Sequence, residues 1–218
     1  MRKISFAAIN GYGIPRDILT DMSYHAYLVQ VFNYVWRNYG DARLTLIPTG
    51  GKTDLFPPYK RTEAGEMARW FKPRIKKLKL KWDIETCGAL TALENMLTVK
   101  RLVGNASGVY FCELSRRAKM QRLAREVFGN KVRVIGLEFD GSAPGYDLKT
   151  RRAMERLDVR YGLLALKDSA WRKKMEQAAR LKIKTLRKTD PQVRATEIDR
   201  IALAVQKEFL NRSCHPPA

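Results

Sequence analysis

Histidine, cysteine and acid are what this 218-residue chain has least of: two histidines, three cysteines, and 22 Asp plus Glu against 42 Lys plus Arg. Cys87, Cys112 and Cys214 are odd in number, far apart and never in a C-x-x-C pair, so neither a disulfide framework nor a zinc motif is expected. The histidines are His25, inside a helical pattern near Tyr24 and Tyr27, and His215, in the last residues. A lone helical histidine is usually structural, and no metal site is predicted. Long apolar runs are missing too. Met1-Arg2-Lys3 followed by Ile4 to Ile9 starts like a signal peptide but meets Asn10-Gly11 too soon for an h-region, so it reads as a first strand. Nothing approaches the ~20 apolar residues of a membrane span. These absences predict a soluble, cytoplasmic protein of a reducing compartment with no membrane span.

What is present is an ordinary core. Hydrophobic residues make up 45% of the chain, and four Trp, nine Tyr and eight Phe are spread through it, which excludes a disordered or fibrous protein. The length suits one substantial domain with an appendage. The net charge of +20 divides as +11 over the first 150 residues and +9 over the rest, so basicity is global. It points to anionic partners such as nucleic acid, nucleotides or an acidic surface.

Strand-length apolar runs at Lys3 to Ile9, Leu44 to Pro48, Lys81 to Glu85, Val109 to Cys112 and Val132 to Leu137 alternate with helix-period segments. Those segments are Thr20 to Asn38, Thr62 to Lys72, Thr91 to Val103 and Ser115 to Phe128. The alternation predicts a three-layer, Rossmann-like α/β domain over residues 1–147, with a mostly parallel sheet of about five strands. Ligands of such sheets bind at the strand carboxyl ends. After Gly141-Ser142-Ala143-Pro144-Gly145 no strand-like run appears, and a helix opens at Asp190-Pro191, so residues 148–218 read as a basic helical extension.

The motifs cluster at the predicted strand ends. The first strand runs into Gly11-Tyr12-Gly13 with Arg16 where a third glycine of G-x-G-x-x-G would stand, a turn suited to an anion or to nothing. The second runs into Thr49-Gly50-Gly51-Lys52-Thr53. Gly51-Lys52-Thr53 imitates the end of a P-loop, but Leu46 replaces its first glycine and Pro57-Pro58 cannot open the required helix, so a Walker site is rejected. Thr62-Glu63 opens the next helix. Thr91-Ala92-Leu93-Glu94 is a capping box, which leaves Asn95 unaccounted for. Glu85, Thr91, Glu94 and Asn95 are expected to converge on one point. Ser115 lacks a base and reads as a helix N-cap.

Thr49-Gly50-Gly51, Glu63-Ala64, Glu85 and Thr91-x-x-Glu94-Asn95, in that order, resemble the bacterial YdcF, ElyC and SanA family over about residues 3 to 140. The resemblance implies a Rossmann-like domain. Its soluble YdcF branch implies binding of S-adenosylmethionine; ElyC and SanA are membrane-anchored. The chain departs from the family after the fourth strand, where Ser115-Arg116-Arg117-Ala118-Lys119 carries no histidine, and cations there suit anion binding better than proton transfer.

Two functions follow. In the first, a small molecule, an adenosyl compound such as S-adenosylmethionine or a nucleotide, is cradled by Gly11, Gly13, Thr49, Gly50, Gly51 and Lys52. Glu63, Glu85 and Glu94 accept from its hydroxyl or amino groups, Asn95 with Arg116 or Arg117 holds its anionic end, and Thr91 and Ser115 are further candidate ligand-binding residues. No feature specifies a reaction; a transferase or hydrolase of nucleotide-like substrates is the enzyme class compatible with it. In the second, the acid-free run Lys72, Arg74, Lys76, Lys77, Lys79 and Lys81 contacts nucleic-acid phosphates or another acidic surface. The cationic surplus is expected to surround the small polar site.

Overall fold

The computed structural model of the chain describes residues 4–138 and 147–212. Lys3, the Gly141 to Gly145 segment, Cys214 and His215 lie outside the described residues. The chain divides into two compact units, Met1–Phe139 and Asp140–Ala218.

The first unit alternates strand and helix: β1 (Phe6–Asn10), α1 (Met22–Tyr39), β2 (Leu44–Thr49), α2 (Glu63–Lys77), β3 (Trp82–Ile84), α3 (Ala92–Val103), β4 (Gly108–Glu113), α4 (Arg117–Phe128) and β5 (Val132–Leu137). The five strands form one all-parallel sheet of order β3-β2-β1-β4-β5, as the alternation of apolar runs predicts. β1 sits at its centre with Ala7 to Ile9 fully enclosed, which is why that run is apolar on both faces. The order reverses between β1 and β4, and in such sheets the crevice outside those two strand ends is where ligands bind.

Helices α1 and α2 cover one face. Tyr27, Leu28, Val31 and Val35 on α1 meet Met67, Trp70, Phe71 and Ile75 on α2 in one core with Ile9, Leu46 and Phe111. Each such large apolar side chain contributes about 1.5–3 kcal/mol by leaving water. Helix α2 runs five residues past the expected stop at Lys72, through Pro73. Ile75 completes the buried stripe Met67, Phe71, Ile75 at helical spacing, so packing outweighs proline's missing donor. The helix starts follow the caps: Asp21, Thr62 and Thr91 side chains accept from Tyr24, Gly65 and Glu94 N–H. Helix α4 is different. A short 3₁₀ turn, Leu114–Arg116, precedes it, its N-cap is Arg116, and Ser115 does not cap it.

Among its described residues the second unit holds three helices, α5 (Leu148–Lys167), α6 (Ser169–Lys188) and α7 (Pro191–Arg212), in line with the expected helical extension. Asp147, Asp168 and Asp190 side chains accept from the first-turn N–H groups of α5, α6 and α7. Asp199 of α7 is buried and accepts from Arg151 Nε at 2.8 Å and Asp147 N–H at 2.9 Å. The rings of Tyr161 and Trp171 stack across α5 and α6 at 5.2 Å.

Candidate functional site

The carboxyl ends of β1 and β2 turn on glycines because a helix start is pressed against them. Glu63, first residue of α2, lies between the two turns. A Cβ on Gly11 would come within 2.7 Å of Glu63 Cβ, and one on Gly50 within 2.6 Å. Gly13 and Gly50 also have φ of +87° and +137°, a region that favours glycine. Glu63 Oε1 accepts from Gly13 N–H and, at 2.9 Å, from the Thr53 hydroxyl. Ala64 N–H and Glu63 N–H close back on Gly50 O and Gly51 O at 3.1 Å each. The glycine cradle therefore already holds an anion, the carboxylate of Glu63, beside the positive end of α2.

A second cluster occupies the β4 end. The Tyr24 hydroxyl accepts from Tyr12 N–H at 2.6 Å and donates to Gly13 O at 2.8 Å, so α1 latches the Gly11–Gly13 turn. Tyr12 Oη accepts from Glu113 N–H and thereby spans the β1–β4 crevice. Glu113, 2% exposed, takes the Ser115 hydroxyl on Oε1 at 2.9 Å and pairs Oε2 with Arg116 Nε at 3.6 Å. The Arg116 guanidinium lies over the Tyr12 ring, 4.7 Å from its centre. Burial holds the Tyr12, Tyr24 and Tyr27 hydroxyls well above their ordinary pKa, so they stay protonated.

The long β2–α2 loop is tied down by Asp54 and Arg61. Asp54 is fully buried and takes Arg61 Nε on Oδ2 and Nη2 on Oδ1, both at 2.9 Å. Arg61 Nη1 also donates to Pro15 O and Arg16 O at 3.0 Å, which joins this loop to the β1–α1 loop. Burial alone would raise the Asp54 carboxyl, but the two Arg61 bonds and Phe56 N–H hold it below its ordinary value.

The expected residues divide accordingly. Gly11, Gly13, Gly50, Gly51 and Glu63 come together in the cradle, with exposed Lys52 beside it. Ser115 and Arg116 join the crevice through Glu113. Arg117 is exposed and lays its side chain against Gly136. Thr49 turns inward, its fully buried hydroxyl 3.2 Å from Tyr110 Oη. Glu85 is exposed, whereas Asn95 is 5% exposed and its Oδ1 accepts from Ala89 N–H at 3.0 Å. Asn95 is a loop clamp because Gly50 N–H bonds Cys87 O, and the 87–90 segment must hold still beneath that turn. Thr91 caps α3 through Glu94 N–H at 3.2 Å.

Lys72, Lys76, Lys77, Lys79 and Lys81 are all exposed, at the opposite end of the sheet from the cradle. Arg74 instead stacks its guanidinium 3.6 Å from the Trp70 ring centre and donates to Trp70 O.

Sequence reasoning passed over Tyr12, Tyr24, Asp54, Arg61 and Glu113. Tyr24 carries the helical period of a core residue, and the Asp54–Arg61 pair has no short motif. A buried strand ending in an acid, Cys112-Glu113, was the signal available for Glu113. Among the described residues no group of three or more His, Cys, Asp or Glu could hold a metal ion, and no helix is long and apolar enough to cross a membrane. No protein-family model matches the chain, and no curated protein matches it.

Proposed function

We propose that the chain binds a small adenosyl compound of the S-adenosylmethionine type in the crevice at the carboxyl ends of β1, β2 and β4. The observation that carries this reading is the Glu63 carboxylate held in the glycine cradle by Gly13 N–H and Thr53 Oγ1. A cradle that already contains a carboxylate repels a phosphate chain, accepts hydrogen bonds from ribose hydroxyls or an ammonium, and attracts a sulfonium by charge alone. That chemistry favours an adenosyl cofactor over a nucleoside triphosphate. Arg116 and Lys52 stand at the sides to take the ligand's carboxylate, and half-buried Tyr12 offers an edge to its base. The motif resemblance to the YdcF branch supports the same ligand. A catalytic step is not part of the proposal.

Calorimetric titration tests it. S-adenosylmethionine should bind the wild-type chain more tightly than ATP, and Glu63→Gln should weaken it about tenfold to a hundredfold, the worth of a charge-assisted hydrogen bond. Equal affinity for both ligands, or binding unaffected by Glu63→Gln, would exclude the cradle as the site.

A further inference from the structure

The charge of the first unit is not distributed around this crevice. In a parallel α/β sheet every turn from a helix into the next strand lies at the strand amino end, opposite the crevice. Here those turns are residues 36–43, 72–83, 100–107 and 125–133. They hold thirteen Lys or Arg against Asp41, Asp83 and Glu126, a net of +10. The remainder of residues 4–138 holds nine cations and nine acids. The whole described surplus of this unit therefore sits at one end. Two of the three acids there already face cations, Asp83 with Arg43 at 3.7 Å and Glu126 with Arg122 at 3.8 Å.

Helix dipoles account for part of this, since cations favour helix carboxyl ends. They do not account for Arg43, Lys79, Lys81 or Arg133, which lie outside the helices where the backbone dipole is small. Apolar side chains stand among these cations. Trp36, Leu78 and Leu102 are 47%, 44% and 49% exposed, at the ends of α1, α2 and α3, and each is next to Arg37, Lys77 or Arg101. Leu19, Met22 and Leu114, the other exposed large apolar residues among those described in this unit, lie at the crevice end.

We propose that the strand-amino end of the sheet docks on an anionic lipid surface, its lysines and arginines on headgroups and Trp36, Leu78 and Leu102 in the interface. Clustered Lys and Arg beside an anionic leaflet attract it additively, and exposed Trp and Leu between them favour the headgroup boundary. Single-stranded nucleic acid would call for aromatic platforms, whereas two of the three apolar residues here are leucines, and a duplex backbone offers Trp36, Leu78 and Leu102 no apolar layer to enter. Docking this way turns the crevice at the opposite strand ends toward the water.

Vesicle co-sedimentation tests the proposal with the full chain, using phosphatidylcholine vesicles with and without phosphatidylserine. Binding should require phosphatidylserine and fade as salt rises. Lys76→Gln, Lys77→Gln and Lys81→Gln together should weaken it about a hundredfold. Leu78→Ser with Leu102→Ser should weaken it at every salt concentration. All five positions are exposed, so the melting temperature and the S-adenosylmethionine titration should be unchanged and a failure here is distinct from a failure of the ligand reading. The proposal is overturned if phosphatidylserine vesicles do not retain the chain at low salt. It is equally overturned if RNA or DNA displaces it from the vesicles and the leucine substitutions have no effect.

Discussion

Gly50 and Glu63 are fitted to each other: a Cβ at position 50 would lie 2.6 Å from Glu63 Cβ, and α2 begins where it does because glycine leaves that space. The cradle depends on this contact. It also separates two kinds of glycine, because Gly13 has a positive φ but nothing within 4 Å of its missing Cβ.

Gly13→Ala should therefore cost only backbone strain, about 1–3 kcal/mol, while Gly50→Ala adds an overlap worth a further ~1–3 kcal/mol. Urea unfolding of the two variants measures the difference. Equal losses would mean that Glu63 moves aside freely and the cradle is not rigid.

Asp54→Asn removes the charge from a buried, bidentate pair and should destabilise the chain by ~1.5–3 kcal/mol at neutral pH. Because the folded Asp54 carboxyl is held below its ordinary value, its contribution is complete above the unfolded pKa of about 4 and is lost as pH falls through the folded pKa. The gap between wild type and Asp54→Asn in denaturant midpoints should thus narrow on acidification below that value. A gap independent of pH would show that the pair does not stabilise the fold through its charge.

Asn95→Ala leaves the half-buried Ala89 N–H without its acceptor and should cost about 0.5–1.5 kcal/mol. Amide exchange of Ala89 should rise in the same variant. If Asn95 served only a ligand, neither quantity would change in the free protein.

Cys87 is 3% exposed, and burial pushes its thiol up to about 12. Native alkylation at pH 8 should leave Cys87 unmodified while urea exposes it, as peptide mass spectrometry would resolve. Fast native modification of Cys87 would mean that the 87–90 segment opens readily and does not hold the Gly50 turn.

The five strands and the starts of α1 to α3 were legible because each rests on local chemistry, apolar runs of strand length and Asp or Thr ahead of the helical stripe; the start of α4, capped by Arg116 after a 3₁₀ turn, was not. Boundaries failed where packing decided, as at Ile75 beyond Pro73. In the site, Glu63 and the glycines were legible from the motif that places them at strand ends. The direction in which Asn95 and Thr49 face was not, since a polar residue at a helix start or strand end turns inward or outward according to which partner, Ala89 N–H or Tyr110 Oη, meets it. Asp54 with Arg61 and Tyr12 with Glu113 N–H are pairings across loops and strands that no spacing encodes. The charge of +20 suggested a cationic surround for the site, yet the cradle end of the first unit is balanced and the surplus lies at the opposite end.

The proposed entry of an adenosyl compound at the glycine cradle is open to amide chemical-shift mapping during a titration with S-adenosylmethionine. Shifts are expected at Gly11, Gly13, Gly50 and Thr53, with Lys79 to Trp82 unmoved. Shifts confined to residues elsewhere, or none at saturating ligand, would contradict it.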